Sequence, residues 1–347
     1  MTRWNYFLKR LLLMIPVLFL VMTALFIILR LGPIDPVAAR LGPEASGAAA
    51  TRMRQKLGLN DPLWKQYLDY VTNLITLNLG ESWVVRADYD VWTVIRISGP
   101  VTLWLGFWAI MLPLFIGIPL GMYAGLNPNS WGDYIASLGG ILWLAMPNFW
   151  LAVMILAFLR ASHGGSGLPM LGWFDWYTLG PNIDSMVGTP DLNFYSAPFT
   201  IHWGNLASDI KFILPPALIL GSASMAAESR IGRTAMLETA NSNYIETAKA
   251  KGVRDRVIVW KHMFRNALIP LLPVITNEAF LLIGGSVIIE QIFNINGIGN
   301  IFFLAITQGD MPLAGGLLFF FTLIILGLNI LQDFLFTIID PRVGYDQ

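Results

Sequence analysis

The chain contains no cysteine, which excludes disulfides, thiolate metal sites and cysteine nucleophiles and leaves the redox compartment open. Charge is scarce. Asp, Glu, Lys and Arg make up 13% of the 347 residues, about half the ~25% found in soluble domains. The three histidines, His163, His202 and His262, are dispersed, so they read as separate side chains and not as a ligand set. There is no HExxH, and no GxxxxGK[ST] phosphate loop, so the chain is not expected to hydrolyse ATP itself. The 22 basic and 22 acidic residues cancel, and bulk charge points to no nucleic-acid partner.

What is present is apolar: 55% hydrophobic residues, with a mean hydropathy of +0.60. Several runs reach the ~20 residues that carry a helix across ~30 Å of hydrocarbon. Six spans can be drawn, at 11–29, 101–126, 134–159, 212–237, 271–293 and 313–339. They are expected to be helices, because lipid offers backbone groups no partner and a helix satisfies its own. The fold class is therefore all-α integral membrane. Residues 1–30 form an N-terminal spanning helix, 31–100 a large outer loop, and 101–347 the core. The core carries an outer insertion at 161–211 and a charged loop at 238–270 on the other side. The first span runs longer than the apolar region of a signal peptide, and no clear cleavage site ends it.

Orientation follows from the basic residues. Segment 238–270 carries Lys249, Lys251, Arg254, Arg256, Lys261 and Arg265, whereas 161–210 and 294–312 carry no Lys or Arg. The first is expected inside and the other two outside, which puts both termini in the cytoplasm. The loop 31–100 has seven basic and seven acidic residues, but loops of this length translocate largely regardless of charge. Within it, NDPLWKQYLDYVTNLITLNLG predicts a helix capped by Asn60 or Asp61, with Pro62 in its first turn and Gly80 closing it. That helix lies on the outer membrane surface or on the bundle. In the second span, Gly117, Gly121 and Gly125 recur every four residues and predict a close helix–helix approach, with Pro119 able to bend that end.

Inside the charged loop stands Asn243-Tyr244-Ile245-Glu246, followed by Thr247, Ala248, Lys249, Ala250, Lys251 and Gly252. Asn243 and Glu246 have the spacing of a capping box, and Gly252 suits the left-handed residue that ends a helix. The stretch predicts a helix of about eight residues, some 12 Å long. Two readings stand: a peg that docks into another protein, or a surface helix beneath lipid headgroups. The small residues offer lipid little apolar area, and the following Val257, Trp260, Phe264 and Leu268 suit an interface better. Among the intramembrane charges, Glu228, Arg230 and Arg233 predict an ion-pair cluster above this helix. Asp333 is expected to pair within the bundle and Glu290 to lie near the outer surface. Glu278 is a candidate for lining a pathway.

Three classes of function fit: an ATP-driven permease, an ion-coupled secondary transporter using Glu278 and Asp333, and a membrane enzyme or scaffold. No nucleophile or metal set supports the last. The stretch from Glu246, Thr247 and Ala248 to Gly252 resembles the EAA loop of ABC-importer permeases. More narrowly, the chain resembles the dipeptide/oligopeptide permease family over nearly its whole length. The likeness is carried in order by RLGPIDP (30–36), GLNDPLWKQYLDY, LGES, IGIPLG, MPNFWL, Arg230, Arg233, Met236, Leu237 and Glu238. YIETAKAKG, FRNALIP, NGIG, GDMP and Asp340-Pro341-Arg342 complete the series. Ile34 departs from the family, which usually has glycine there, and segment 161–210 is unusually long.

The resemblance implies a six-helix type I ABC-importer permease in a prokaryotic inner membrane, multi-pass, with no cofactor on this chain. It implies that Tyr244, Glu246, Thr247, Ala248, Ala250, Lys251 and Gly252 form a coupling helix seated in a cytoplasmic ATPase subunit, where ATP and Mg are bound. It further implies a second homologous permease subunit, one or two ATPase subunits and an external binding protein. The implied substrates are dipeptides or oligopeptides, with oligosaccharides or nickel chelates as the alternative.

Overall fold

The computed structural model describes residues 3–32, 35–42, 47–163, 206–276, 278 and 287–339. Among them the regular elements are helices, apart from one antiparallel bridge between Glu81 and Asp90. The Val91–Leu126 helix is the axis of the molecule: 36 residues, roughly 54 Å at 1.5 Å per residue. Three buried clusters lie along it in sequence order. Val91, Val94 and Ile95 belong to the first, Val101, Leu105 and Ala109 to the second, and Ile118 and Met122 to the third.

Val91–Leu126 and Met311–Gln332 are each long and apolar enough to cross a membrane. The first helix, Arg3–Leu31, packs against the last, Met311–Ile339. The fourth span sits inside a 35-residue helix, Leu206–Ala240, packed along the Val91–Leu126 axis. Large apolar side chains such as Leu12, Phe115, Ile135 and Leu142 point outward, as lipid-facing positions require.

The third span differs from the expectation of one helix. Trp131–Leu144 and Asn148–His163 are separate helices, and the apolar pair is bent by 94°. Pro147 stands at the break; it has no N–H to donate and disfavours the helical conformation at Met146 before it. Of the fifth span, 272–276 and Val287–Ile292 are helical, and most of the intervening residues lie outside the described set. The insertion 164–205 and the terminal 340–347 also lie outside it.

Close packing of the axis with the fourth span rests on the predicted glycines. A Cβ on Gly117 would lie 2.8 Å from the Met225 carbonyl oxygen, and one on Gly125 2.8 Å from that of Arg233. Between them, a Cβ on Gly121 would overlap the Ser229 carbonyl. Three glycines four apart thus face three backbone carbonyls four apart, the way two helices approach where lipid gives no hydrophobic drive. The irregularity near Pro119 is a π-helical turn, Pro113–Gly117, not a simple bend; the Ile118 N–H reaches back to the Pro113 carbonyl. The turn lies directly before Pro119, whose ring cannot bond the carbonyl of Phe115.

At the Val91 end the loop forms helices Pro36–Leu41, Ala48–Lys56 and Leu63–Ile75. Asp35 caps the first of these through the Val37 amide at 2.9 Å and pairs with Arg54 at 2.8 Å. In the third, neither Asn60 nor Asp61 is the cap. Pro62 occupies that position, while Asp61 pairs with Lys65 one turn on. The helix also stops at Ile75, before Gly80, with Leu77 in the left-handed region at φ 57°. It lies on the bundle: Tyr67 bonds to Thr23 of the first span at 2.6 Å and packs edge-on to Phe26.

Candidate functional site

At the other end of the axis, the third cluster gathers Ile118, Met122, Ala235, Met236, Ile258, Met263, Ala267 and Leu271 around two residues of one short helix. That helix is Asn243–Ala250, eight residues long as the sequence predicts. Its start is offset from the expected capping box. Ser242 is the N-cap, but its hydroxyl donates to the Thr239 carbonyl at 2.6 Å and caps nothing. Asn243 becomes the first helical residue, and Glu246 falls one position too late to reach back. Glu246 still lies in the first turn, where a negative charge opposes the helix dipole.

The C-terminus is fixed firmly. Gly252 adopts φ +71°. Its N–H bonds to the Lys249 carbonyl at 2.9 Å, and the Val253 N–H bonds to that of Ala248 at 3.2 Å. This pair of bonds is the Schellman motif, and Val253 and Ala248 supply its apolar contact in the same cluster.

The helix has two unlike faces. Ile245 is 0% and Ala248 9% exposed, and both anchor to the bundle. Tyr244, Glu246, Thr247, Lys249, Ala250, Lys251 and Gly252 are exposed. Of the expected coupling residues, the structure therefore gathers six on an open surface and turns Ala248 inward. The chain continues through Asp255–Val257 and a π-helical stretch, Ile258–Met263, into Phe264–Ala267. There Ile258 and Met263 face the cluster, while Trp260 is 62% exposed and stacks at a tilt on Phe264. Val257 and Trp260 thus form an outward apolar edge beside the short helix, and Phe264 and Leu268 pack back on the cluster.

Above this helix the expected cluster of Glu228, Arg230 and Arg233 is not formed. Arg233 pairs instead with Asp133, its Nη2 at 2.7 Å from Oδ2 and its Nε on Oδ1. Asp133 also accepts from the Asn129 amide at 2.9 Å and the Ser137 hydroxyl at 3.2 Å. This ties the 127–130 turn to the fourth span. Arg230 is exposed, and Glu228 is fully buried without a hydrogen-bond partner among the described residues. Glu278 is 7% exposed and lies inside the bundle in this conformation.

Two further buried carboxylates hold the opposite half together. Glu290 is 0% exposed; it accepts from Thr102 Oγ1 at 3.0 Å and from the Asn300 amide at 2.8 Å. It so caps the Ile298–Thr307 helix, whose N-cap Gly297 has no side chain to do so. A Cβ on Gly297 would overlap this carboxylate, and one on Gly299 would lie 3.0 Å from it, which accounts for both glycines of NGIG.

Asp310 is also 0% exposed. It accepts from Ser82 Oγ at 2.6 Å and from the amides of Trp83, Val84 and Val85 at 3.0, 2.9 and 3.1 Å. Three successive N–H groups on one carboxylate make an anion nest. The nest explains why LGES and GDMP belong together across the chain. Neither the Asp133–Arg233 pair nor these two seats was anticipated from the sequence.

The chain matches two family models. Residues 117–345 match the binding-protein-dependent transport system inner membrane component, and residues 1–106 match the N-terminal region of such membrane components. It is 34% identical over 341 residues to a dipeptide transport system permease, DppB, of Alkalihalophilus pseudofirmus, covering 98% of this chain and 99% of that one. It is 32% identical to an oligopeptide transport system permease, AppB, of Bacillus subtilis, again over 98% and 99%. With a di/tripeptide permease, DppB, of Pseudomonas aeruginosa it shares 33% identity over 99% of both chains. Matched in both its N-terminal region and its core, the chain belongs to the family of inner membrane components of binding-protein-dependent transport systems.

Proposed function

We propose that this chain is the permease subunit of an ATP-driven importer of short peptides, supplying half of the translocation path. The observation that carries the reading is the Asn243–Ala250 helix: anchored by Ile245 and Ala248, ended by a Schellman motif, and open along Tyr244, Thr247 and Lys251. A docked element transmits displacement only if it neither frays nor slides, and the two buried anchors and the C-cap meet that need. The helix sits on the cytoplasmic side, in a cleft of an ATPase subunit that binds ATP and Mg. The Val257–Trp260 edge rests at the lipid interface beside it. A second permease chain completes the path, and an external binding protein delivers substrate at the Val91 end.

Peptides are favoured as cargo over oligosaccharides or nickel chelates by the end-to-end similarity to dipeptide, oligopeptide and di/tripeptide permeases. The test is uptake of a labelled dipeptide into vesicles holding this chain, its partner permease and ATPase subunits, with the binding protein outside. Uptake that requires ATP on the ATPase side supports the reading. Uptake driven by an ion gradient through this chain alone overturns it.

A further inference from the structure

Trp131–Leu144, the first half of the third span, buries one residue of its 14, and that residue is Asp133. The large side chains Tyr134, Ile135, Leu138, Ile141 and Leu142 face outward. At the far end Trp143, half-buried, packs on the second cluster. Near its start, then, the helix is held to the bundle by a carboxylate, where spanning helices ordinarily rely on small residues and close packing.

The contact is shaped from both sides. Arg233 donates Nη2 to Asp133 Oδ2 at 2.7 Å and Nε to Oδ1. A two-pronged, charge-assisted contact of this kind fixes direction as well as distance. The same two oxygens accept the Asn129 amide at 2.9 Å and the Ser137 hydroxyl at 3.2 Å, and the Ser130 hydroxyl accepts from the Asp133 amide at 3.2 Å. Asn129 is left-handed, at φ 61°, so the turn bends around the carboxylate. A residue that only caps its own helix has no need of burial; Asp133 is 2% exposed and reaches another span. On that span Arg233 stands one turn before Met236, which shares the third cluster with Ala235, Ile245 and Ala248. A Cβ on Gly125 would lie 2.8 Å from the Arg233 carbonyl, so the end of the second span packs on the same residue. Arg233 thus marks the meeting of the second, third and fourth spans, one turn from the anchors of the short helix.

We propose that the Asp133–Arg233 pair is the link through which the third span follows the short helix, an inference that rests on the importer reading for what drives the motion. When the Asn243–Ala250 helix is displaced, Ile245 and Ala248 carry the ends of the second and fourth spans with it. Arg233 then draws Asp133, the 127–130 turn and the third span along. Without the pair, a helix whose other side chains face outward is free to lag, held only from its Trp143 end. In this role Asp133 and Arg233 position a span and need touch neither peptide nor nucleotide.

Spin labels on Leu138→Cys and Leu218→Cys, 59% and 41% exposed on the third and fourth spans, test it. Their separation is measured in the assembled transporter, its other subunits free of cysteine, with and without ATP trapped on the ATPase subunits. With Asp133 and Arg233 intact, the expected result is one narrow separation, the same in both states. Asp133→Asn keeps the size and gives up the charge; it should broaden the separation and make it differ between the states. Arg233→Lys keeps the charge but not the two-pronged contact and should fall between. A pair that merely staples the fold predicts no dependence on nucleotide in any variant that assembles. If Asp133→Asn fails to assemble, Arg233→Lys and the intact pair decide. A separation that changes with nucleotide in the intact chain overturns the proposal, as does one equally narrow and constant in the variants. The broadening is read without nucleotide too, and uptake by the unaltered chain tests the importer reading, so the two fail separately.

Discussion

Replacing Ile245 by Ala probes what keeps the short helix rigid. An isolated helix needs ~12–15 residues to be even marginally stable in water, and this one has eight. Its order must come from tertiary anchoring, and Ile245 is the one large apolar side chain it buries, at 0% exposure. An Ile→Ala change at a buried site costs about 2–5 kcal/mol, depending on how far the neighbours collapse. At 1.4 kcal/mol per factor of ten, that raises the population of the locally open helix by roughly 30-fold to a few thousand-fold. Amide hydrogen exchange of residues 247–253 in the purified protein measures this opening. The Ile245→Ala variant should lose protection there by at least the lower figure, and ATPase stimulation by substrate should fall with it. Thr247→Ala serves as the control: it removes an exposed side chain whose hydroxyl donates to the Asn243 carbonyl at 2.9 Å. Protection in Ile245→Ala that stays within about threefold of the parent would refute the anchoring argument.

Asp310→Ala leaves the Ser82 hydroxyl and the Trp83, Val84 and Val85 amides without their acceptor. At about 1–3 kcal/mol per buried unsatisfied group, the loop at 82–90 should come free of the last span, read as new proteolytic cleavage there. Gly121→Ala forces a Cβ into the Ser229 carbonyl, and overpacking of this kind costs about 1–3 kcal/mol or more. A lower melting temperature in detergent is expected, larger than for Gly139→Ala, where a Cβ meets nothing within 4 Å. Burial works against the ionised Asp35, but the Arg54 and Val37 hydrogen bonds outweigh it and hold the carboxyl below its usual range. The stability it lends is present above the ordinary Asp value of about 3.9 and lost as pH falls below it. Protection of the 37–41 amides, taken relative to the intrinsic exchange rate at each pH, should fall in acid.

What could be read from the sequence was local or periodic. Gly252 predicts the helix end because a left-handed residue with φ +71° is a property of one position. The Gly117–Gly121–Gly125 stripe is legible because its period is that of the helix it packs against. The capping register is not legible in the sequence, because Ser242 and Asn243 are both good caps and the choice depends on Ser242 finding the Thr239 carbonyl behind it. The resemblance includes Ala248 in the coupling helix without saying which way it faces; Ile245, three residues earlier and 0% exposed, marks that side as the buried one. Asp310 and Glu290 were out of reach for a different reason. Ser82 is 228 residues from Asp310, and Thr102 is 188 from Glu290. Most of the other donors are backbone amides, which no residue letter announces. Pro147 is visible in the sequence, yet whether a proline kinks a span or turns it by 94° depends on the packing on either side.

Because the chain has no cysteine of its own, single thiols report contacts without background. The most direct test of the central claim introduces Tyr244→Cys, Thr247→Cys and Lys251→Cys separately, with Trp260→Cys for comparison, and treats the assembled transporter with a short photo-crosslinker. The account predicts that the first three positions join to an ATPase subunit and that position 260 labels lipid. Crosslinks from 244, 247 and 251 that reach only lipid, or none at all, would contradict it.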